Sequence, residues 1–288
     1  MTVLHETAWG KLNLTLDILG SRPDGYHELE MVMISVDLCD RLTLALGTGE
    51  AWQIRCDRPD IPTDRRNLCW RAAEGYFAAA GLDPDGLCIT IQKSIPAQGG
   101  MAGGSSDAAA VLRALNRHYR ALPASELMAL ALAVGSDVPY CVQGGVRLAR
   151  GRGEVLTPLP PLPDAAVFAL VRPDFSVSTP ALFRQIDRVG VQRRPDNRAM
   201  ERALAEGDLR AIAAAVANAF EPPVLAQFPQ VGRIKAALKS HGALCAQLTG
   251  TGSVVFGLFD NEPAAKAAAS ALGGWVAHPV DAAAQHPD

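Results

Sequence analysis

A glycine-rich segment, Pro96–Asp107, carries the residue types best suited to binding a phosphate group. Four glycines fall within the six residues from Gly99 to Gly104, and the pattern predicts a helix that begins at Ser105. Glycine lets backbone N–H groups approach a ligand closely, and the first N–H groups of a helix are unpaired and partly positive. The segment therefore predicts a phosphate cradle. The alternative is a flexible loop before an ordinary serine cap.

The segment differs from the two most familiar phosphate-binding motifs. The chain has no Gly-x-x-x-x-Gly-Lys-Ser/Thr, and no complete Gly-x-Gly-x-x-Gly opens a helix. A second glycine turn, Thr249–Gly252, lacks the third glycine and is followed by Ser253-Val254-Val255, which favours a strand. A tight turn between strands is the plain interpretation of that second site.

Lysine is scarce in this chain. Five of its 27 basic residues are lysines, at positions 11, 93, 235, 239 and 266. Because this chain rarely uses lysine as a solvating charge, Lys11 and Lys93 are candidate functional residues. The alternative is that genome composition produces the same bias. Both lie in the half of the chain that holds the glycine-rich segment.

Composition excludes several classes of function. The chain has 288 residues, a net charge of −3 and 49% hydrophobic residues, which indicates about two folded domains and argues against binding nucleic acid or an anionic membrane. No apolar run approaches the ~18 residues of a membrane span. The first residues lack the basic and apolar regions of a secretory signal. The six cysteines form no Cys-x-x-Cys pair, so we expect free thiols in a cytoplasmic protein.

The elements around the glycine-rich segment follow from periodicity. Residues 11–18 alternate, with the leucines and Ile18 on one face and Lys11, Asn13, Thr15 and Asp17 on the other, which predicts a half-buried strand followed by a turn at 21–25. Further strands are predicted at 42–46, 52–56 and 88–93. A helix is predicted from about Asn67 to Ala80 with a stop at Gly81, and another from a cap at Ser125 to Gly135.

The second half of the chain begins after Thr157–Pro163, whose four prolines favour an extended linker. We place a domain at 1–156, a second at 165–280 and a tail at 281–288, with fraying from Pro279 onward. Helices are predicted from Thr179-Pro180 and at 197–205, 208–219 and 229–241, and two strands within 247–259. Strands and helices without strict alternation indicate an α+β fold.

Three blocks resemble the galactokinase, homoserine kinase, mevalonate kinase and phosphomevalonate kinase (GHMP) superfamily. They are Ala8–Leu14, the glycine-rich segment and Leu248–Gly252. Arg22–His27, Asn67-Leu68 and Gly135–Pro139 narrow the resemblance to the members that act on a cytidyl diphosphate alcohol. The resemblance implies a two-domain fold, with an N-terminal domain like ribosomal protein S5 domain 2 and a ferredoxin-like C-terminal domain.

The resemblance also implies an activity, which is transfer of the ATP γ-phosphoryl group to the 2-hydroxyl of 4-diphosphocytidyl-2-C-methyl-D-erythritol. It makes Asp137 the general base and Lys11 its catalytic partner, and Ser106 a residue that helps to place Mg²⁺. The implied substrate contacts are Asn13, Tyr26, His27 and Phe183, of which the last three resemble the residues that bind cytosine in the family. The implied ATP contacts include Asn67, Leu68 and Lys93, which resemble the adenosine pocket of the family. The others are Pro96, Ala97, Gln98, Gly99, Gly100, Met101, Ala102, Gly103, Gly104, Ser105 and Ser106.

Other interpretations stay open at this point. A homoserine or mevalonate type of kinase would share the loop, but it has no cytosine to bind at Tyr26 and His27. A non-catalytic nucleotide-binding relative should have lost Lys11, Asp137 or the glycines. We expect a monomer or a weak homodimer that binds a small molecule.

Three residues depart from the superfamily pattern. Gln98 and Ala102 stand where glycine is frequent, and an αR or β conformation at Ala102 would tolerate its methyl group. Ala219 stands where an aspartate is more usual, so the resemblance implies no acidic role there.

Overall fold

The computed structural model describes residues 1–282, and the part of the predicted tail at 283–288 lies outside them. The strands of the described chain are β1 (Thr2–Ser21), β2 (His27–Leu46), β3 (Gln53–Cys56), β4 (Leu87–Gln92), β5 (Arg147–Gly151), β6 (Val155–Pro158), β7 (Val167–Val171), β8 (Ala217–Asn218), β9 (Cys245–Leu248), β10 (Val255–Phe259), β11 (Trp275–Ala277) and β12 (Pro279–Val280). Its helices are α1 (Leu68–Ala80), α2 (Gly103–Tyr119), α3 (Ala124–Val134), α4 (Val138–Gln143), α5 (Thr179–Val189), α6 (Asn197–Glu206), α7 (Leu209–Ala215), α8 (Glu221–Gln227), α9 (Pro229–Ser240) and α10 (Glu262–Leu272). This mixture confirms the α+β class.

The chain forms two compact units, each built from several segments. Unit one contains Met1–Gly10, Cys39–Ala97 and Ala102–Gln143. Unit two contains Lys11–Leu38, Gln98–Met101 and the described residues from Gly144 onward. The boundary predicted at Thr157–Pro163 stays a prediction. Thr157 and Pro158 are extended there, as expected, because they belong to β6, which pairs with β5.

Unit one contains a group of helices and a small sheet. The second half of β2 pairs antiparallel with β4, in the register Arg41 to Gln92, and β4 pairs parallel with β3. Alternate leucines and isoleucines of β2 and β4 are buried, and α1 packs on α2, which packs on α4. Asn67 caps α1 by accepting from Cys69 N, and Gly81 ends it in the left-handed region at φ 65°. Both ends of this helix agree with the sequence prediction.

Unit two contains a four-stranded antiparallel sheet in the order β11-β7-β10-β9. Counted along the chain, this is the fourth, first, third and second strand. That order and the helices α9 and α10 beside the sheet are those of the ferredoxin-like arrangement expected for this half. The β1 strand pairs parallel with β8 at Thr15 and Ala217, and β2 pairs with β5 and β12.

Residues 11–18 of β1 are buried on both faces, so the half-buried strand predicted there is wrong. Lys11, Asn13, Thr15 and Asp17 are each at most 5% exposed. Each polar side chain has a partner inside unit two. Thr15 accepts a hydrogen bond from Val32 N at 2.9 Å, and Asp17 forms an ion pair with Arg194. The polar face is therefore an internal network rather than a solvated surface, because buried polar groups need partners.

Four predicted boundaries require correction. The helix predicted at 208–219 ends at Ala215, because Ala217 and Asn218 pair with β1 and Ala219 N donates to Leu16 O at 2.9 Å. Ser125 lies inside α3, whose cap is Pro123, and α5 is capped by Ser178 rather than Thr179. Pro279 and Val280 do not fray, because they pair with Val36 and Ser35 of β2. Within residues 1–282, no helix is long and apolar enough to cross a membrane.

Candidate functional site

The start of α2 lies at the end of the glycine-rich segment, in unit one. The helix begins at Gly103, two residues earlier than predicted, and its first intrahelical bond runs from Ser106 N to Ala102 O at 2.8 Å. The N–H groups of Gly103, Gly104 and Ser105 therefore precede the helical ladder and can donate to an anion. Ala102 caps the helix at φ 58° and ψ 27°. Ala102 therefore does not have the αR or β conformation that would tolerate its methyl group, because the chain must turn sharply into α2 at this residue.

Several predicted nucleotide contacts lie next to that helix start. A Cβ at Gly104 would lie 3.9 Å from Leu68 Cδ1, and one at Gly135 would lie 4.0 Å from Ser105 Oγ. Leu68 follows the buried cap Asn67, whose amide donates to Pro62 O at 2.7 Å. The predicted adenosine residues and the start of α2 are thus brought together. Among the predicted residues on the other side of the loop, Pro96 is buried and Ala97 is half-buried.

Ser106 is 1% exposed, and its hydroxyl donates to the carbonyl of Trp9. That bond ties α2 to the first block of the superfamily pattern. The predicted role of Ser106 in placing Mg²⁺ stays a prediction. Across residues 1–282, no group of three or more His, Cys, Asp or Glu side chains is arranged to hold a metal ion.

Lys93 lies between two buried carboxylates, and we call Lys93, Asp40 and Asp107 the Lys93 cluster. Its ammonium donates to Asp40 Oδ2 and, at 2.6 Å, to Asp107 Oδ2. The side chains of all three are at most 4% exposed. Burial lowers the pKa of Lys93, but the two carboxylates outweigh it and raise that pKa above its usual value. The predicted contact of Lys93 with adenosine stays a prediction, and its ammonium already has two partners.

Asp107 and Asp40 differ in how well their oxygens are bound. Asp40 Oδ1 accepts from Ser94 N and Ile95 N at 2.6 and 2.8 Å. Asp107 Oδ1 is buried without a hydrogen-bond partner in the described chain. Burial raises the pKa of Asp107 to about 8 although Lys93 lowers it, and Asp40 raises it further. The cluster has two carboxyl groups and one ammonium, and this imbalance adds to the effect of burial on the pKa of Asp107.

Asp137 lies between α3 and α4, also in unit one. Its backbone carbonyl accepts from Cys141 N at 3.0 Å, in the first turn of α4. The residue is half-buried, and its carboxylate has no hydrogen-bond or ion-pair partner among the described residues of that unit. Such a carboxylate keeps its lone pairs available for a proton, as a general base requires.

In unit two, the middle of the glycine-rich segment packs against the third block. A Cβ at Gly100 would lie 2.2 Å from Thr249 O, so only glycine fits at φ 79°. The carbonyl of Gly99 accepts from Val254 N, and that of Met101 accepts from Lys11 N at 3.2 Å. Gln98 is also left-handed, at φ 55°. The three superfamily blocks therefore meet through backbone contacts.

Lys11 is buried beside that meeting point. Its ammonium donates to Asn13 Oδ1 at 2.5 Å, and a Cβ at Gly250 would lie 3.4 Å from Lys11 Nζ. Asn13 N donates to Thr249 Oγ1 at 3.1 Å. Asn218, which sequence reasoning did not select, donates to the carbonyls of Leu248 and Gly250 at 2.9 and 2.8 Å. These bonds fix the turn that faces Lys11.

The predicted cytosine contacts form a second cluster in unit two. His27 stacks on Phe183 with ring centroids 4.3 Å apart and planes 20° apart. His27 Nε2 lies 2.7 Å from Asp187 Oδ1. Asp187 was missed, although its spacing of four residues from Phe183 places both on one face of α5. Tyr26 lies apart from this stack, because its ring, in a residue 47% exposed, packs under Arg152 at 3.5 Å.

These observations fit ATP as a phosphate donor. The unbonded N–H groups of Gly103–Ser105 and the close approach at Gly100 are the features that a phosphate chain needs. Mg²⁺ is usually held by one or two protein oxygens and by phosphates, so it does not require a cage of protein ligands. The charges of the site favour the same chemistry, because the Lys11 ammonium has no carboxylate partner among the described residues of unit two.

Comparisons with known proteins agree with this chemistry. The family model "GHMP kinases N terminal domain" matches residues 67–145, and "GHMP kinases C terminal" matches residues 200–277. The 4-diphosphocytidyl-2-C-methyl-D-erythritol kinase of Pelotomaculum thermopropionicum is 44% identical over 257 residues, or 89% of each chain. The enzyme of that name from Geobacillus kaustophilus is 42% identical over 88% of this chain and 87% of its own. This chain belongs to the 4-diphosphocytidyl-2-C-methyl-D-erythritol kinase family of GHMP kinases.

Solved structures show that the fold agrees with this family. A crystal structure of 4-(cytidine 5'-diphospho)-2C-methyl-D-erythritol kinase aligns with a TM-score of 0.80 and 33% identity, over 95% of this chain and 98% of that one. The homoserine kinase of Cytophaga hutchinsonii aligns with a TM-score of 0.72 and 18% identity, over 97% of this chain and 94% of its own, which shows a shared fold. The chain therefore has the two-domain GHMP kinase fold.

Proposed function

We infer that the protein transfers the γ-phosphoryl group of ATP to the 2-hydroxyl of 4-diphosphocytidyl-2-C-methyl-D-erythritol, in the non-mevalonate route to isoprenoid precursors. The observation that carries this inference is the set of relatives with that name. They are 39–44% identical and cover 88–93% of the chain. The helix start at Gly103 supports ATP as one substrate, and the His27–Phe183 stack supports the cytidyl compound as the other.

In this proposal, the backbone holds the phosphates of ATP. The N–H groups of Gly103, Gly104 and Ser105 donate to phosphate oxygens, while Gln98–Met101 provide the close backbone approach. Mg²⁺ would neutralise phosphate charge, and Ser106 would help to hold it. Such transfer depends mainly on alignment and on electrostatic stabilisation, so fixed donors matter more than covalent chemistry.

Asp137 accepts the proton of the substrate hydroxyl in this proposal. Its unpartnered carboxylate supports the assignment, since a base must have a free lone pair. Lys11 stabilises the negative charge on the transferred group. Its burial, with an amide as its partner, supports that role because a cation in such a place is poorly neutralised until an anion arrives.

The cytidyl group binds at His27 and Phe183 in this proposal, with Asn13 and Tyr26 as further contacts. Aromatic rings offer stacking, and the imidazole offers directional hydrogen bonds. Asp187 orients the imidazole through its bond to Nε2. Asn67 and Leu68 contact the adenosine of ATP. A cytoplasmic location goes with these small-molecule substrates.

The test is an assay of ADP release with Mg-ATP and one alcohol per reaction. The alcohols are 4-diphosphocytidyl-2-C-methyl-D-erythritol, homoserine, mevalonate and galactose. Turnover of the cytidyl substrate alone is expected. Turnover of a different alcohol would refute the substrate assignment, and folded protein that binds ATP without any turnover would refute the proposed activity.

The proposed base is tested by Asp137→Asn. Because general base catalysis contributes about 10²–10⁴-fold, we expect kcat to fall within that range while the Kd for ATP stays within twofold. Steady-state kinetics and calorimetric ATP titration measure the two quantities. An Asp137→Asn enzyme with near-normal kcat would exclude Asp137 as the base.

A further inference from the structure

The ammonium of Lys93 is placed where the two ends of the glycine-rich segment meet. On one side, Lys93, Ser94 and Ile95 lead directly into Pro96. On the other, Asp107 lies in the second turn of α2. Asp40 of β2 completes the arrangement, because it accepts from the Lys93 ammonium and from the N–H groups of Ser94 and Ile95.

The cluster touches the helix start itself. A Cβ at Gly103 would lie 3.3 Å from Lys93 Nζ and 3.1 Å from Ile95 Cγ2. Gly103 supplies the first of the N–H groups that precede the helical ladder. The direction of these groups therefore depends on the side chains that pack against Gly103, which are those of Lys93 and Ile95. A buried cation with two carboxylates has one favourable position, whereas a solvated lysine has many. The cluster therefore fixes both ends of the segment relative to each other.

Burial also argues against a direct contact between Lys93 and a nucleotide base. The Lys93 side chain is 4% exposed, and its ammonium donates to two carboxylates. A base would have to displace one of these charged partners, which are much stronger acceptors than a ring nitrogen. The rest of the cluster has even less access to solvent, since Asp40 is fully buried.

We propose that Lys93 is a positioning residue, which, through Asp40 and Asp107, sets the direction of the N–H groups that bind the phosphates of ATP. This deepens the proposed function and rests on it. It also assigns a role to Asp40, which no superfamily block contains. A contact with adenosine would make Lys93 a determinant of base recognition. In a positioning role, Lys93 affects the affinity for the phosphates of ATP and does not affect recognition of the base.

The test uses Asp40→Asn, which keeps the size of the side chain and an acceptor for Ser94 N and Ile95 N. The matched control is Glu6→Gln, an equal carboxylate-to-amide change at a side chain 7% exposed that pairs with Arg113 and Arg117 of α2. Calorimetry measures the Kd values of ATP, inorganic triphosphate and adenosine. Lys93→Arg is measured beside them, because it keeps the charge and changes the geometry.

We expect Asp40→Asn to raise the Kd of ATP and of inorganic triphosphate by the same factor, at least fivefold, with the Kd of adenosine within twofold of wild type. Lys93→Arg should change the same two constants. Glu6→Gln should change none. In turnover, the KM for ATP should rise in Asp40→Asn while the KM for the cytidyl substrate stays within twofold.

Three results would overturn the proposal. Unchanged Kd values for ATP and triphosphate in Asp40→Asn would show that the cluster does not act on the phosphates. A parallel rise for adenosine would return Lys93 to the base pocket. An equal rise of these Kd values in Glu6→Gln would show that any loss of stability in unit one weakens ATP binding. Binding is measured without turnover, so wild-type protein that binds ATP but phosphorylates none of the alcohols would refute the proposed function and leave this test intact.

Discussion

Two buried lysines of this chain have opposite surroundings. Lys93 lies in unit one between Asp40 and Asp107, and Lys11 lies in unit two beside the amide of Asn13. Both are almost inaccessible to solvent. A cation neutralised by carboxylates has little charge left for a ligand, whereas a cation with only an amide partner among the described residues of its unit attracts an anionic ligand. The comparison predicts that Lys93 is a structural lysine and Lys11 a reactive one, a distinction that burial alone does not make.

The largest expected effect is the loss of stability in Lys93→Met. Removing Lys93 leaves the buried Asp40 carboxylate without a cation, and the loss of one partner of a buried ion pair destabilises a protein by about 3–5 kcal/mol. Denaturant unfolding measures this difference from wild type. A loss below 1 kcal/mol would mean that water already reaches the cluster, and the contrast between the two lysines would fail.

Lys11→Met should show the reverse pattern. We expect kcat to fall by about 10²–10³-fold, as when one charge-stabilising donor is removed from an active site. Stability should decrease less than in Lys93→Met, because the removed cation has no carboxylate partner among the described residues of its unit and only its bond to Asn13 Oδ1 is lost. Steady-state kinetics and denaturant unfolding of the same preparation give both values. A stability loss as large as that of Lys93→Met would make Lys11 a second structural lysine.

A smaller effect is expected from pH. Against the effect of burial, Asp107 and Asp40 raise the pKa of Lys93 above the usual lysine value of about 10.4, so its contribution to stability is complete below about pH 10 and is lost as pH rises through the higher folded value. The difference in unfolding free energy between wild type and Lys93→Met should therefore narrow above about pH 10.5. Lys266→Met, at an exposed side chain, is the control. A difference that is constant from pH 8 to pH 11 contradicts the assignment of the ion cluster.

The smallest expected effect is at Ala102, where the segment next to the Lys93 cluster turns into α2. A non-glycine residue in the left-handed region is disfavoured by about 1–2 kcal/mol, and glycine loses about 0.5–1 kcal/mol more than alanine through chain entropy. Ala102→Gly should therefore stabilise the protein by about 0.5–1 kcal/mol. Ala110→Gly, inside α2, should destabilise it by about that amount or more. Thermal unfolding compares the two, and a loss of stability in both would show that Ala102 is unstrained.

The sequence predicted the parts of the site that depend on local chemistry. Glycine spacing identified the segment around Gly100, and the cap Asn67 and stop Gly81 bounded α1. Periodicity also identified the correct face of β1, but not its burial. The polar face of β1 is internal because Thr249, Met31 and Arg194, distant in sequence, supply its partners.

The unpredicted parts depend on contacts between distant residues. Asp40 is 53 residues from Lys93, and a single aspartate in an alternating strand carries no sign of an ion partner. Ala102 was misjudged because its backbone conformation is set by the helix start and not by its side chain. Asp187 was the one missed residue with a local signal, namely its helical spacing from Phe183.

The pairing of Pro279 and Val280 with β2 has a practical consequence for handling the protein. The two residues cover the backbone of Ser35 and Val36, on a strand that continues into both units. A protease cut just after Ala277 would uncover part of that strand. Uncovered strand edges pair readily with other chains. Damage at this end should therefore appear first as self-association on a sizing column, before any loss of turnover.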